Sequence, residues 1–164
     1  MKNITPTYKG VITGAAMVLV CLLAYFILHI PFNSKEQLVA FAVYAAGIVW
    51  SLVVFNNANQ GEKKLKAYFQ EGFKTFIVVT LFMVIYSIVY YKLDTSFRDA
   101  WIADNNQLLL KEGNHTPVEI EGNAAKIKSF FLPMVVGINL FKYLIIGVLI
   151  TVITGGFLIS QKKN

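Results

Sequence analysis

Apolar and polar positions along this chain fall into long blocks rather than the short alternations of a soluble fold. Four blocks reach the roughly 18 residues that a helix needs to cross about 30 Å of hydrocarbon. They cover residues 11–30, 38–55, 73–91 and, at greater length, 131–159. The pattern predicts an all-α protein: a four-helix transmembrane bundle, read as a single integral membrane domain over 1–164. An extracytoplasmic helical hairpin is expected between the third and fourth spans.

The segment 95–130 carries its own helix signals. Ser96 followed by Asp99 resembles a capping box and Gly113-Asn114 supplies a stop, so a helix is expected from Thr95 to Glu112 with Phe97 and Trp101 on one face. Thr116, Pro117 and Glu119 give a second, stronger start: an N-cap, a proline at the first helical position and an acid two residues on. That helix should pass Ala124, Ala125 and Ile127 and run into the fourth span, with a kink expected at Pro133.

Between the second and third spans, NNANQGEKKLKAYFQEGFKTF places Leu65, Tyr68, Phe69, Phe73 and Phe76 at helical spacing. An amphipathic helix lying in the interface has this pattern, with Glu71 one turn from Lys74 and able to pair with it. A solvated charge run that only sets topology fits the same residues.

Composition agrees with the block pattern: 56% of the 164 residues are hydrophobic and 15% charged. Lysines and arginines set the orientation. Eight lie on one side (Lys2, Lys9, Lys63, Lys64, Lys66, Lys74, Lys162, Lys163) and six on the other (Lys35, Lys92, Arg98, Lys111, Lys126, Lys128). The second side is also neutralised by Asp94, Asp99, Asp104, Glu112, Glu119 and Glu121. Both termini are therefore expected in the cytoplasm and 92–130 outside. The net charge of +6 then describes a basic face beside anionic lipid and gives no support to nucleic-acid binding. The first span follows Lys2 and Lys9 as a secretory signal would. Its apolar core is about twice the usual length and no cleavage site follows, so it is read as retained.

Chemistry-bearing motifs are absent. There is no phosphate-cradling glycine loop, nucleophile elbow or paired-histidine signature, so no catalytic residue, metal ligand or cofactor is assigned and an enzyme is not expected. His29 and His115 lack partners at ligand spacing, and Cys21, the single cysteine, reads as a small apolar filler. Acids are missing from the spans, with Glu71 at a boundary, which disfavours a carboxylate-based antiporter.

Small residues mark helix faces that can approach closely: Gly10 and Gly14, Gly47 and Ser51, and the row Gly147, Thr151, Gly155. They fit contacts within one chain and contacts between two equally well. Asn139 and Lys142 share a face of the fourth span and form the candidate polar membrane site. The apolar run after Lys142, Tyr143 to Ile159, is 17 residues or about 25 Å long. Counting back from the cytoplasmic interface thus puts Lys142 near the outer one, within snorkelling reach. The competing reading is an interior site with Asn139 or with a tyrosine such as Tyr86 or Tyr90.

The stretch YFQEGFKTFIVVTLFMVIYSIVYYKLDTSFRD, Tyr68 to Asp99, resembles the uncharacterised bacterial family called domain of unknown function 4199, of Bacteroidetes type. A cytoplasmic "gfk" turn there leads into a tyrosine-rich third span and then an acidic helical loop. Two preceding spans, a final span and a lysine tail complete the likeness. The resemblance implies a four-span inner-membrane protein with no assigned activity and no site residues to carry over. Two functions follow as expectations. The first is a non-enzymatic accessory or scaffold subunit that works through helix packing, with the bilayer and a homodimer or another membrane protein as partners. The second is a small transporter or an anion- or lipid-binding protein using Lys142 and Asn139.

Overall fold

Helix α1 (Pro6–Leu28) starts ahead of the first apolar block because Thr5 and Pro6 make a start signal. The Thr5 hydroxyl accepts from the Tyr8 N–H (3.3 Å), and proline occupies a position whose own N–H would be unused. The helix ends at His29, which takes the left-handed conformation (φ 53°), while the Ile30 N–H returns to the Ala24 carbonyl as in a glycine-type stop. There follow α2 (Leu38–Ala58), α3 (Leu65–Leu93), α4 (Ser96–Glu112) and α5 (Pro117–Ser160). This computed structural model describes residues 4–32, 38–59 and 64–161, and all regular structure among them is helical. Lys2, Lys35, Lys63, Lys162 and Lys163, which enter the lysine and arginine distribution, lie outside the described residues.

Four helices, α1, α2, α3 and α5, are long and apolar enough to cross a membrane. Two extend well beyond their apolar blocks. The stretch expected to lie in the interface and then turn is the straight-through start of α3, since no break separates Leu65 from Leu93. Likewise α5 is continuous over 44 residues and passes through Pro133.

The chain forms two compact units. The first, residues 1–86 and 140–164, is a four-helix bundle of α1, α2, the start of α3 and the end of α5. Helices in lipid gain no hydrophobic energy by meeting, so contact depends on close backbone approach. A Cβ added to Gly10 would come within 2.7 Å of the Thr75 carbonyl oxygen on α3. One on Gly47 would overlap the Thr13 side chain of α1, and one on Gly72 would overlap Thr151 of α5. The buried face of α3 follows from the same spacing: Tyr68, Gly72, Thr75, Phe76, Val79, Thr80 and Met83 recur every three or four residues.

The second unit, 87–139, contains the end of α3, α4 and the first half of α5. Phe131 is its centre: Tyr91, Phe97 and Trp101 pack around that ring with centroids 5.6 to 6.1 Å away. The α3–α4 corner is held by Asp94, which accepts from the Tyr90 hydroxyl (3.0 Å) and the Ser96 N–H (3.0 Å). The expected Ser96 capping box does not form. Thr95 is the N-cap, and its hydroxyl donates to Asp99 (2.8 Å) instead of accepting a backbone bond. At the second start the box is complete: the Glu119 N–H donates to the Thr116 hydroxyl (3.3 Å) and the Thr116 N–H to the Glu119 carboxylate (2.7 Å). The backbone bond from Thr116 and then its hydroxyl hold the Glu119 pKa below the usual carboxylate range.

Two predictions follow from these contacts. Gly47→Ala should cost about 1–3 kcal/mol by overpacking against Thr13, read as a lower thermal midpoint in detergent. Gly156→Ala, which faces open space, should stay within about 0.5 kcal/mol of the parent. Because Glu119 has a depressed folded pKa, its contribution is present above the unfolded pKa and lost as pH falls through the folded one. Hydrogen exchange at the Thr116 amide, measured relative to mid-α5 amides, should speed up over that acidic window. In Glu119→Gln, which keeps a capping acceptor without the charge, this pH dependence should vanish.

Candidate functional site: a buried ion pair at the N-terminal end of the bundle

Starting α1 at Pro6 makes Lys9 a first-turn residue rather than part of a tail, and its neighbour Gly10 lets α1 rest on α3. Lys9 is only 2% exposed. Its ammonium donates to Glu71 Oε1 on α3 (2.9 Å) and to the Ser51 carbonyl oxygen on α2 (3.2 Å). The Glu71 side chain is 11% exposed. Beside the pair, the Ser51 and Thr75 hydroxyls share a hydrogen bond (2.8 Å), and Thr75 Oγ1 lies within donating distance of the Glu71 (3.1 Å) and Pro6 (3.3 Å) carbonyl oxygens. Three helices are thus tied by one polar cluster. A buried pair of this kind adds little stability over a well-packed apolar pair, but loss of one partner strands the other charge.

A cavity of about 250 Å³ opens next to the pair. Lys9, Glu71, Thr5 and Asn59 line it, with apolar walls from Ile4, Val54 and Phe55. Lys9 uses two of its three N–H donors on described residues, and Glu71 uses one carboxylate oxygen. The cavity therefore meets a donor and an acceptor whose charges cancel, an arrangement suited to holding a small dipolar group. Among the described residues no three His, Cys, Asp or Glu side chains gather as metal ligands would.

The residues singled out in the sequence take other places. Lys142 is half-buried in the bundle unit, its ammonium 5.3 Å from the centre of the Phe41 ring and 5.6 Å from that of Tyr143. Those two rings stack, and the Tyr44 hydroxyl donates to the Tyr143 carbonyl oxygen (2.9 Å). Asn139 is buried in the other unit, where its side chain bonds to that of Tyr91. Of the tyrosines weighed as partners, Tyr86 packs its ring on Phe32 and Tyr90 serves Asp94.

Every small residue named from the sequence meets a neighbour within this chain. Gly10 and Gly14 of α1 face Thr75 and Phe82 of α3, and Gly47 faces Thr13. Ser51 bonds to Thr75, Gly147 faces Tyr44 and Phe76, Thr151 meets Gly72, and Gly155 lies against Tyr68. The Thr151 hydroxyl is buried with no hydrogen-bond partner among the described residues.

One sequence expectation is corrected. Glu71 makes its ion pair with Lys9, 62 residues away, and not with Lys74. Helical spacing put Lys74 within reach, but residue 71 is on the inward side of α3 and residue 74 on the exposed side. A sequence signal for Lys9 did exist. Thr5-Pro6 repeats the Thr116-Pro117 start, and reading it would have placed Lys9 inside a helix. Nothing local to Glu71 identified its partner.

A family model described as a protein of unknown function (DUF4199) matches residues 8–159. No curated protein matches the chain, and no solved structure does.

The ion pair predicts a double-mutant cycle. Lys9→Met and Glu71→Leu should each cost about 3–5 kcal/mol by leaving the other charge buried and unpaired. The double variant should recover at least about 1 kcal/mol relative to their sum, measured by thermal or denaturant unfolding in detergent micelles. Strict additivity would show that the two charges do not interact.

Proposed function

The chain belongs to the DUF4199 family of proteins of unknown function, and from that premise we propose that it is a non-enzymatic accessory or scaffold subunit of the bacterial inner membrane. In this reading both termini are cytoplasmic and the α4 segment lies outside, as the lysine and arginine distribution favours. The single observation that carries the role is how the chain distributes its contact-making surface. Gly10, Gly14, Gly47, Gly72, Gly147 and Gly155 are used between its own helices, as is Ser51, while Gly137 and Gly156 of α5 face open space. The bundle's outward surface is instead built of large residues such as Leu19, Phe26, Ile85, Phe141, Ile145 and Ile153, suited to lipid.

α4, by contrast, has no buried residue. Around the turn that joins it to α5, Leu108, Leu110 and Val118 are more than half exposed. Exposed leucine and valine in an otherwise polar and charged segment support a protein-binding role for that end. The alternative, a small transporter or anion-binding protein built on Lys142 and Asn139, has less support. The Lys142 ammonium lies over aromatic rings and the Asn139 side chain is engaged by Tyr91.

Extraction in mild detergent should recover a stoichiometric partner or a second copy of the chain. The combined change Leu108→Glu and Leu110→Glu should lower that recovery at least about tenfold, about 1.4 kcal/mol. Changes at the lipid-facing Ile145 or Ile153 should leave it intact. A strictly monomeric particle with nothing bound overturns the proposal.

A further inference from the structure

We propose that the cavity beside Lys9 and Glu71 binds the headgroup of an aminophospholipid, a phosphate diester linked to a primary ammonium, from the leaflet on the side of the chain's N-terminus. The inference rests on insertion of the bundle in a membrane and not on the accessory role.

Charge is the first argument. Lys9 and Glu71 cancel, so among the described residues that line it the site has no excess charge with which to hold a simple anion or cation, and a net-neutral zwitterion is the matching ligand. The second is the lining itself: Lys9 with the first turn of α1, whose dipole favours a phosphate, and Glu71 with the last turn of α2 at Val54, Phe55 and Ala58, whose dipole favours a cation.

Hydrogen bonding selects the type of cation. A primary ammonium can donate to the Glu71 oxygen, whereas a quaternary one has no N–H to donate. Position is the third argument. Lys9 is in the first turn of a membrane-length helix, the level at which headgroups lie, and the cavity has room for several waters' worth of polar atoms. The apolar walls at Ile4, Val54 and Phe55 suit the ligand's glycerol and upper acyl carbons.

The test reconstitutes the full chain in vesicles of equimolar phosphatidylethanolamine, phosphatidylcholine and phosphatidylglycerol, re-extracts it in mild detergent, and quantifies retained lipid by mass spectrometry. Phosphatidylethanolamine should be enriched over the other two. Ala58→Phe fills the cavity without touching the ion pair and should cut that enrichment about tenfold, about 1.4 kcal/mol. The double variant Lys9→Met with Glu71→Leu, which removes both charges together, should abolish it. Equal retention of the three lipids, or enrichment unchanged in Ala58→Phe, overturns the proposal. Free glycerophosphoethanolamine is the second arm: displacement of the lipid by it at equal concentration would show that a soluble zwitterion is the ligand, and would overturn the lipid assignment.

Discussion

Where α1 meets α3, the absent side chain of Gly10 lets one helix backbone rest against the other, and much of the bundle depends on that approach. A methyl group there would press on the Thr75 carbonyl. In a bilayer the surrounding chains are as apolar as leucine, so helices hold together through dispersion at short range and through polar contacts that need short range too. The same closeness carries Lys9, the preceding residue, to within 2.9 Å of Glu71. Gly47 does the equivalent for α1 and α2, and Gly72 for α3 and α5.

Once the helices are that close, their buried polar groups act chiefly to fix register. A lysine and a glutamate removed from water cost several kcal/mol each, and their attraction roughly offsets that cost. The pair therefore stabilises little over apolar packing, while any sliding of α1 along α2 or α3 would break it. Ser51 with Thr75 and Tyr44 with the Tyr143 carbonyl add further fixed points in the same unit. In the other unit the corresponding work is done by aromatic rings around Phe131 and by the Asp94 corner. The Tyr68–Asp99 stretch contributes to both units. Gly72 and Phe76 form contacts with α5, Glu71 and Thr75 form the polar cluster, and Tyr90, Tyr91 and Asp94 build the second unit.

Helix existence was readable from the chain because it depends on sums along one segment: length, hydropathy, a cap and a stop. Thr116-Pro117-Glu119 and Gly113 are local signals, and each does what its chemistry dictates. The Ser96 box failed for an equally local reason. Asp94 and Thr95 compete for the same groups, and Asp94 captures the Ser96 N–H. Small residues were readable as sites of approach, but not their partners, since a glycine does not record whether its neighbour comes from the same chain.

The chain read in one dimension was thus enough to establish that it is helical, that four helices have membrane length, where α4 stops and α5 starts, and to which family it belongs. Each of these follows from interactions within a few residues or from a pattern summed over the whole chain. Only the tertiary structure decided that Lys9 pairs with Glu71, that Lys142 lies over Phe41 and Tyr143, that Asn139 answers Tyr91, and that a cavity opens beside the ion pair. Charge pairing and cavity shape depend on distances across helices. A chain read in one dimension holds no measure of those until the backbones have met.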